Sequence, residues 1–117
     1  MTRLAPRRRP GTWVVVADPG DEVPFAAAID EDEGRCLVMP LEAAEERGLS
    51  TGARLAWLTI GAETTLEQVG VTATFSVALA ARGIACNVLA GLHHDHLLVP
   101  EDRAAEALSV LAELSLP

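Results

Sequence analysis

The sequence predicts a small α+β domain with an antiparallel sheet and helices on one face. Three observations carry that prediction. Two apolar runs, Ile84 to Leu92 and Leu97 to Pro100, flank a polar knot and read as a hairpin. An apolar helix pattern, Leu66 to Ala80, precedes the hairpin, and a helix with an acidic start, Glu101-Asp102, follows it. Runs of period two beside runs of period 3.6 place strands and helices around one shared core.

Each element has its own justification. Thr12 to Ala17 reads as a short buried strand closed by the turn residues Asp18-Pro19-Gly20-Asp21. A second strand is expected between Val23 and Ile29. Asp30-Glu31-Asp32-Glu33-Gly34 cannot bury itself, so it predicts a solvated hairpin tip whose return strand is Arg35 to Met39. The spacing of those carboxylates matches no EF-hand loop. Pro40 stops the strand, and Leu41 to Arg47 forms a short helix before Gly48. Arg54 to Ile60 is apolar on both alternating faces, the pattern of a strand covered on both sides. Thr64-Thr65-Leu66-Glu67 matches a capping box, a hydroxyl followed three residues later by a carboxylate, and predicts a helix over 65–82. Leu66, Val69, Ala73, Val77 and Ala80 trace its apolar stripe, broadened by Val71, Phe75 and Leu79, with Gly83 as the C-terminal cap. After the hairpin of 85–100, Glu101 and Asp102 suit the first turn of a last helix, with Ala104, Leu108 and Leu111 on one face.

A chain of 117 residues is one compact unit by size. Trp13, Phe25, Trp57 and Phe75 are its only aromatics, so valine, leucine, isoleucine and alanine must build the core. A formal charge of −8 repels phosphate backbones and anionic lipid, which argues against nucleic acid as a partner. Cys36 and Cys86 lie in apolar runs and read as free, buried thiols. Arg7-Arg8-Arg9 invites a twin-arginine reading, but the apolar run behind it ends at Asp18, too short for a signal core of about 7–15 residues. Residues 1–9 are therefore expected to be a flexible basic tail. No run approaches the roughly 18 apolar residues of a membrane span, so a cytoplasmic protein with no membrane partner is expected.

The halves echo each other. Cys36-Leu37-Val38-Met39-Pro40 and the alanines after it answer His96-Leu97-Leu98-Val99-Pro100 and Ala104-Ala105-Glu106, while Thr12 to Val16 answers Ala56 to Ile60. The first half lacks the stretch that the capped helix occupies, which reads as a duplicated unit with one helix deleted from its first copy.

Leu58-Thr59-Ile60, Thr65 to Ala73, Gly83-Ile84-Ala85-Cys86-Asn87-Val88-Leu89-Ala90-Gly91 and His94-Asp95-His96-Leu97-Leu98-Val99-Pro100 carry a resemblance. The chain resembles the small bacterial ACT-domain proteins related to the regulatory domains of aspartate kinases and to the CASTOR arginine sensors. The resemblance implies a ferredoxin-like fold with two ACT-like halves, a truncated one over 10–53 and a fuller one over 54–117. It also implies a regulatory amino-acid site formed by Gly61, Ala62, Glu63, Thr64, Thr65 and Leu66, with Asn87 opening the strand after the helix. Family members often carry serines in that loop, where this chain has Gly61-Ala62-Glu63-Thr64-Thr65.

The residues supply a rationale beside the resemblance. Free amides at a helix N-terminus bind a carboxylate, and Glu63 accepts an ammonium group, so the loop suits a zwitterion; alternatively Thr64 and Glu67 only cap the helix. Asn87 is either a ligand contact or a polar partner of a strand edge. His94, Asp95 and His96 are candidate metal ligands if the strand runs through them, and otherwise form a structural turn. No nucleophile elbow, phosphate loop or paired-carboxylate motif is visible, so no catalytic residue and no cofactor is expected. The functions in view are an amino-acid-sensing regulatory protein, an interaction module that mediates only oligomerisation, and a metal-binding protein. Strands apolar on both faces under one helix layer predict a homodimer.

Overall fold

The computed structural model describes residues 2–117. It has strands β1 (Pro6–Ala17), β2 (Ala27–Glu31), β3 (Gly34–Pro40), β4 (Leu55–Ile60), β5 (Asn87–Ala90) and β6 (Asp95–Pro100), with helices α1 (Leu41–Glu46), α2 (Val71–Ala80) and α3 (Ala104–Ala112). The class is α+β, and the strand order is β2-β3-β1-β4-β6-β5. Contacts divide the chain into two compact units, Gly11–Leu55 and the residues up to Pro10 with Ala56–Pro117.

In the unit of Gly11–Leu55, β3 pairs antiparallel with both β1 and β2. Val14 is level with Met39 and Val16 with Leu37, so one face of the pair is apolar, and these four side chains pack with Ala44 of α1. The expected acidic tip is shorter than the sequence suggests. β2 continues through Asp30 and Glu31, because Arg35 lies across from Asp30 and its Nε donates to Asp30 Oδ1 at 3.1 Å. Only Asp32 and Glu33 remain as the turn.

The other unit contains β4, β5, β6, α2, α3 and the first stretch of β1. Ala56, Leu58 and Ile60 alternate on one face of β4, and Leu97 and Val99 do so on β6. Phe75 and Leu79 of α2 and Ala107 and Leu111 of α3 pack on that face, which places both helices of the unit on one side of its strands. Trp57, Thr59 and His96 occupy the alternating positions.

Residues 1–9 are not a flexible tail over the part described. Leu4 is fully buried in the helix-covered core, and its N–H donates to Leu114 O at 3.0 Å. Gly61 N donates to Ala5 O at 2.9 Å and Ala62 N to Leu4 O at 3.0 Å, so the segment entering β1 is tied to the end of β4. Backbone pairing with distant segments overrides a local composition of proline and arginine that reads as disordered.

The helix expected over 65–82 begins later. Gly70 has φ of 88°, a left-handed conformation that interrupts the chain, and α2 starts at Val71. Its cap is not the expected box: Thr74 Oγ1 donates to Gly70 O at 2.7 Å, and Thr65 N donates to Gln68 Oε1 at 3.3 Å. Leu66 and Val69, read as part of the buried stripe, are 69% and 88% exposed, and the buried face is Val71, Phe75 and Leu79 at i, i+4 and i+8. Both cysteines are free but only half-buried, and burial raises the pKa of each thiol.

Candidate functional site

β4 ends at Ile60, and the chain leaves it through Gly61 to Leu66, the loop in which the sequence places ligand contacts. Two braces hold that loop. From one side, Ala5 and Leu4 accept the amides of Gly61 and Ala62. From the other, the hairpin tip grips it: Thr64 N donates to His93 O at 2.8 Å, and His94 Nδ1 lies 3.0 Å from Ile60 O and 3.3 Å from Ala62 O. Both partners of His94 Nδ1 are carbonyls, so that nitrogen carries the proton and donates. Ala62 and Thr64 are buried, while Glu63 between them is exposed and sits 3.5 Å from the His93 imidazole. A carboxylate is thus presented to solvent from a fixed backbone.

The expected supply of free amides differs. The N–H groups of Gly61, Ala62, Thr64 and Thr65 all have internal acceptors, and the first turn of α2 begins only at Val71. Asn87 is exposed and level with Leu98, whereas Ala90 is level with Asp95 at the end of β5 nearer the braced loop. Three strand residues, about 10 Å, separate Asn87 from that end. Within one chain the loop residues are brought together, and Asn87 stands apart from them.

The histidines of the hairpin have structural partners. His94 serves the loop, and His96 points to the face of β4 away from the helices. Trp57 Nε1 lies 3.3 Å and Thr59 Oγ1 2.9 Å from His96 Nδ1. An indole N–H can only donate, so Nδ1 is the acceptor and the neutral ring carries its proton on Nε2. His94 and His96 therefore do not converge on a common point with Asp95, and among the described residues no group of three His, Cys, Asp or Glu side chains is placed to hold a metal.

Burial lowers the His96 pKa below the usual 6.5, helped by the charges of His94, Arg9 and Arg7 and opposed by Asp95. A depressed histidine pKa means that the unfolded chain binds the proton more readily than the native one. This contribution to stability is present above pH 6.5 and is lost as the pH falls through that value toward the folded pKa. We expect the urea midpoint to fall between about pH 7.5 and about pH 5.5, and His96→Gln to flatten that fall. Parallel pH profiles for the two proteins would remove His96 as the cause.

Sequence reasoning missed two sets of residues. His93 and His94 act as the clamp of the loop, a role visible only once the hairpin is laid beside β4. Arg7 and Arg9, read as a tail, line a concavity of about 350 Å³ with Trp57, Thr59 and His96. Arg9 lies over the Trp57 ring, 4.8 Å from its centroid.

Among solved structures, the chain is similar to a Vibrio cholerae protein of unknown function described as a possible transport protein, at 34% identity and TM-score 0.90, over 97% of this chain and 91% of that one. It is similar in fold to an Agobacterium tumefaciens protein, at 17% identity and TM-score 0.74, over 96% of this chain and 89% of that one. Aspartokinase alpha and beta subunits share the fold at 18% identity and TM-score 0.59, over 86% of this chain and 88% of the matched chain. No curated protein matches the chain. The fold, ferredoxin-like with helices over an antiparallel sheet, belongs to the class of small regulatory ligand-binding domains. The ACT-domain family model matches residues 51–113, and the chain belongs to the ACT-domain family. No helix among the described residues is long and apolar enough to cross a membrane.

Proposed function

We propose that this protein is an amino-acid-responsive regulatory module with no catalytic activity of its own, and that Gly61 to Leu66 is its ligand-contacting segment. The observation that carries the reading is the exposed Glu63 carboxylate, held between buried Ala62 and Thr64 in a loop braced on two sides. A preorganised loop lowers the entropy cost of binding. Glu63 is the acceptor for a ligand ammonium group, and the imidazole of His93 beside it meets the carboxylate of the same zwitterion. Asn87 joins this site from a second copy of the chain, since its own position on β5 lies away from its own loop. β5 ends the strand order, and the exposed Leu66, Val69 and Leu92 offer apolar surface for a homodimer. Residues 10–53 fit this scheme as the truncated ACT-like half and 54–117 as the fuller one, in a cytoplasmic protein.

A thermal-shift screen of the twenty amino acids tests the reading. A responding amino acid at about 100 times its Kd stabilises the native state by about 2.7 kcal/mol. Glu63→Ala abolishes that shift, and sedimentation at micromolar concentration shows a dimer. A screen in which no amino acid raises the melting temperature removes the sensing function and leaves a module for oligomerisation alone.

A further inference from the structure

The solvent side of a surface helix is normally its charged side, and α2 departs from that rule. Its ten residues, Val71–Ala80, include no acidic or basic side chain, although only Val71, Phe75 and Leu79 among them are buried. Beside it, on the outer side of α2 and α3, runs a groove of about 620 Å³. The core positions Phe75, Leu79, Ala107 and Leu111 take no part in its lining, so it opens away from the strands. Ala78 and Ser109 form its middle, and the half-buried Val110 and Leu114 give it an apolar wall. All of these residues belong to the unit that contains β4 to β6.

The two ends of the groove carry opposite charge. At one end Glu106 is shared by two guanidiniums: Arg103 Nη2 lies 2.7 Å from Glu106 Oε1, and Arg82 Nη1 lies 3.6 Å from Glu106 Oε2. Two cations against one carboxylate leave a positive excess, and the Arg82 side chain is 60% exposed. Glu101 and Asp102, in the turn before α3, are not in the lining. At the other end Glu113 is exposed and has no ion pair among the described residues. Arg3 reaches this end of α3 but donates to Ala112 O. Seven helical residues, about 10 Å, separate Glu106 from Glu113, so the groove does not neutralise its own ends. A partner of uniform charge would be opposed at one end. A second copy turned about a two-fold axis through the middle of the groove is opposed at neither, because its Glu113 meets Arg82 and its Arg82 meets Glu113.

We propose that the outer groove between α2 and α3 is a contact surface for a second copy of this chain, two-fold symmetric about Ser109. It is independent of the Glu63 loop and distinct from the apolar surface of Leu66, Val69 and Leu92, so a chain that uses both surfaces assembles beyond a dimer. The test uses the full chain with Cys36→Ser and Cys86→Ser, to which Ser109→Cys is added, under oxidised glutathione at micromolar concentration. A two-fold axis at this position brings the two new thiols within disulfide reach, and a covalent dimer linked at position 109 is expected. Ser50→Cys in the same background places an exposed thiol outside the groove and should link more slowly. Adding Glu113→Arg sets like charges against each other at both ends and should slow linkage at position 109 about tenfold. Adding Arg82→Glu as well exchanges the two ends and should restore the rate. Glu113→Arg alone alters an exposed, unpaired position, and it reads the contact even if the exchanged variant does not fold. Linkage at position 109 no faster than at position 50, a rate unmoved by Glu113→Arg, or a folded exchanged variant that does not recover the rate overturns the proposal. No amino acid is present in this assay, so its failure leaves the amino-acid reading untouched, and a failed amino-acid screen leaves this contact untouched.

Discussion

Phe75→Ala should destabilise the protein by about 3–5 kcal/mol, the usual cost of emptying a fully buried aromatic site. Phe75 has no exposed surface and lies in the middle of the buried i, i+4, i+8 face of α2, against β4 and β6 side chains. The loss includes the transfer of the ring and the cavity it leaves, because helices and sheet on opposite sides cannot both close inward. Total stabilities of about 5–15 kcal/mol are common for small proteins, so this one change removes a large share. Val77→Ala, two residues away on a 70% exposed position, should change stability by less than about 0.5 kcal/mol. Urea unfolding of both variants checks the pair; equal losses would mean that the buried face of α2 has been misassigned.

Gly61→Ala is the second large effect, about 3 kcal/mol or more, and it arises from backbone contact and not from a cavity. A Cβ at Gly61 runs into the carbonyl oxygen of Ala5, the same oxygen that accepts the Gly61 N–H. Neither atom is the end of a flexible side chain, so one of the two segments must move. The Gly61 to Ala5 and Ala62 to Leu4 hydrogen bonds then weaken together, and Leu4 loses its anchor in the core. Amide exchange separates this from a general loss of stability. Gly61-position and Ala62 amides should exchange faster relative to Leu97 and Val99, whose strand is not displaced. Unchanged relative protection would show that the loop accommodates the methyl group.

Much of the second half was legible because its signals are local. β4 is buried at every position, as its two apolar faces predict, and the hairpin strands and α3 fall inside the expected ranges. The capping box failed for a physical reason: one left-handed glycine at Gly70 separates the turn of Thr65 to Gln68 from the helix, and periodicity alone does not report a backbone reversal. The stripe then shifted to Val71, Phe75 and Leu79, residues that the pattern treated as secondary. Arg7 to Arg9 were illegible as a strand because neither proline nor arginine favours one; their pairing depends on residues about fifty positions later. For the candidate site, the loop residues were legible through resemblance, but the clamp by His93 and His94 depends on the placement of the hairpin tip.

The compact unit that holds β4 to β6 is discontinuous in the chain, and its early piece is anchored by late ones. Leu4 bonds to Leu114, Leu116 N donates to Thr2 O, and Arg3 reaches Ala112 across a separation of 109 residues. The stretch matched by the family, 51–113, is therefore not the whole folding unit. During synthesis residues 2–10 emerge long before their partners exist, while Gly11 to Leu55 has the β1 to β3 pairings of its own unit in hand. That order makes contacts of long sequence separation the slow step, as loop closure across the chain must precede them. Refolding kinetics should accordingly be set by the arrival of Thr2, Arg3 and Leu4 at a core that is otherwise assembled.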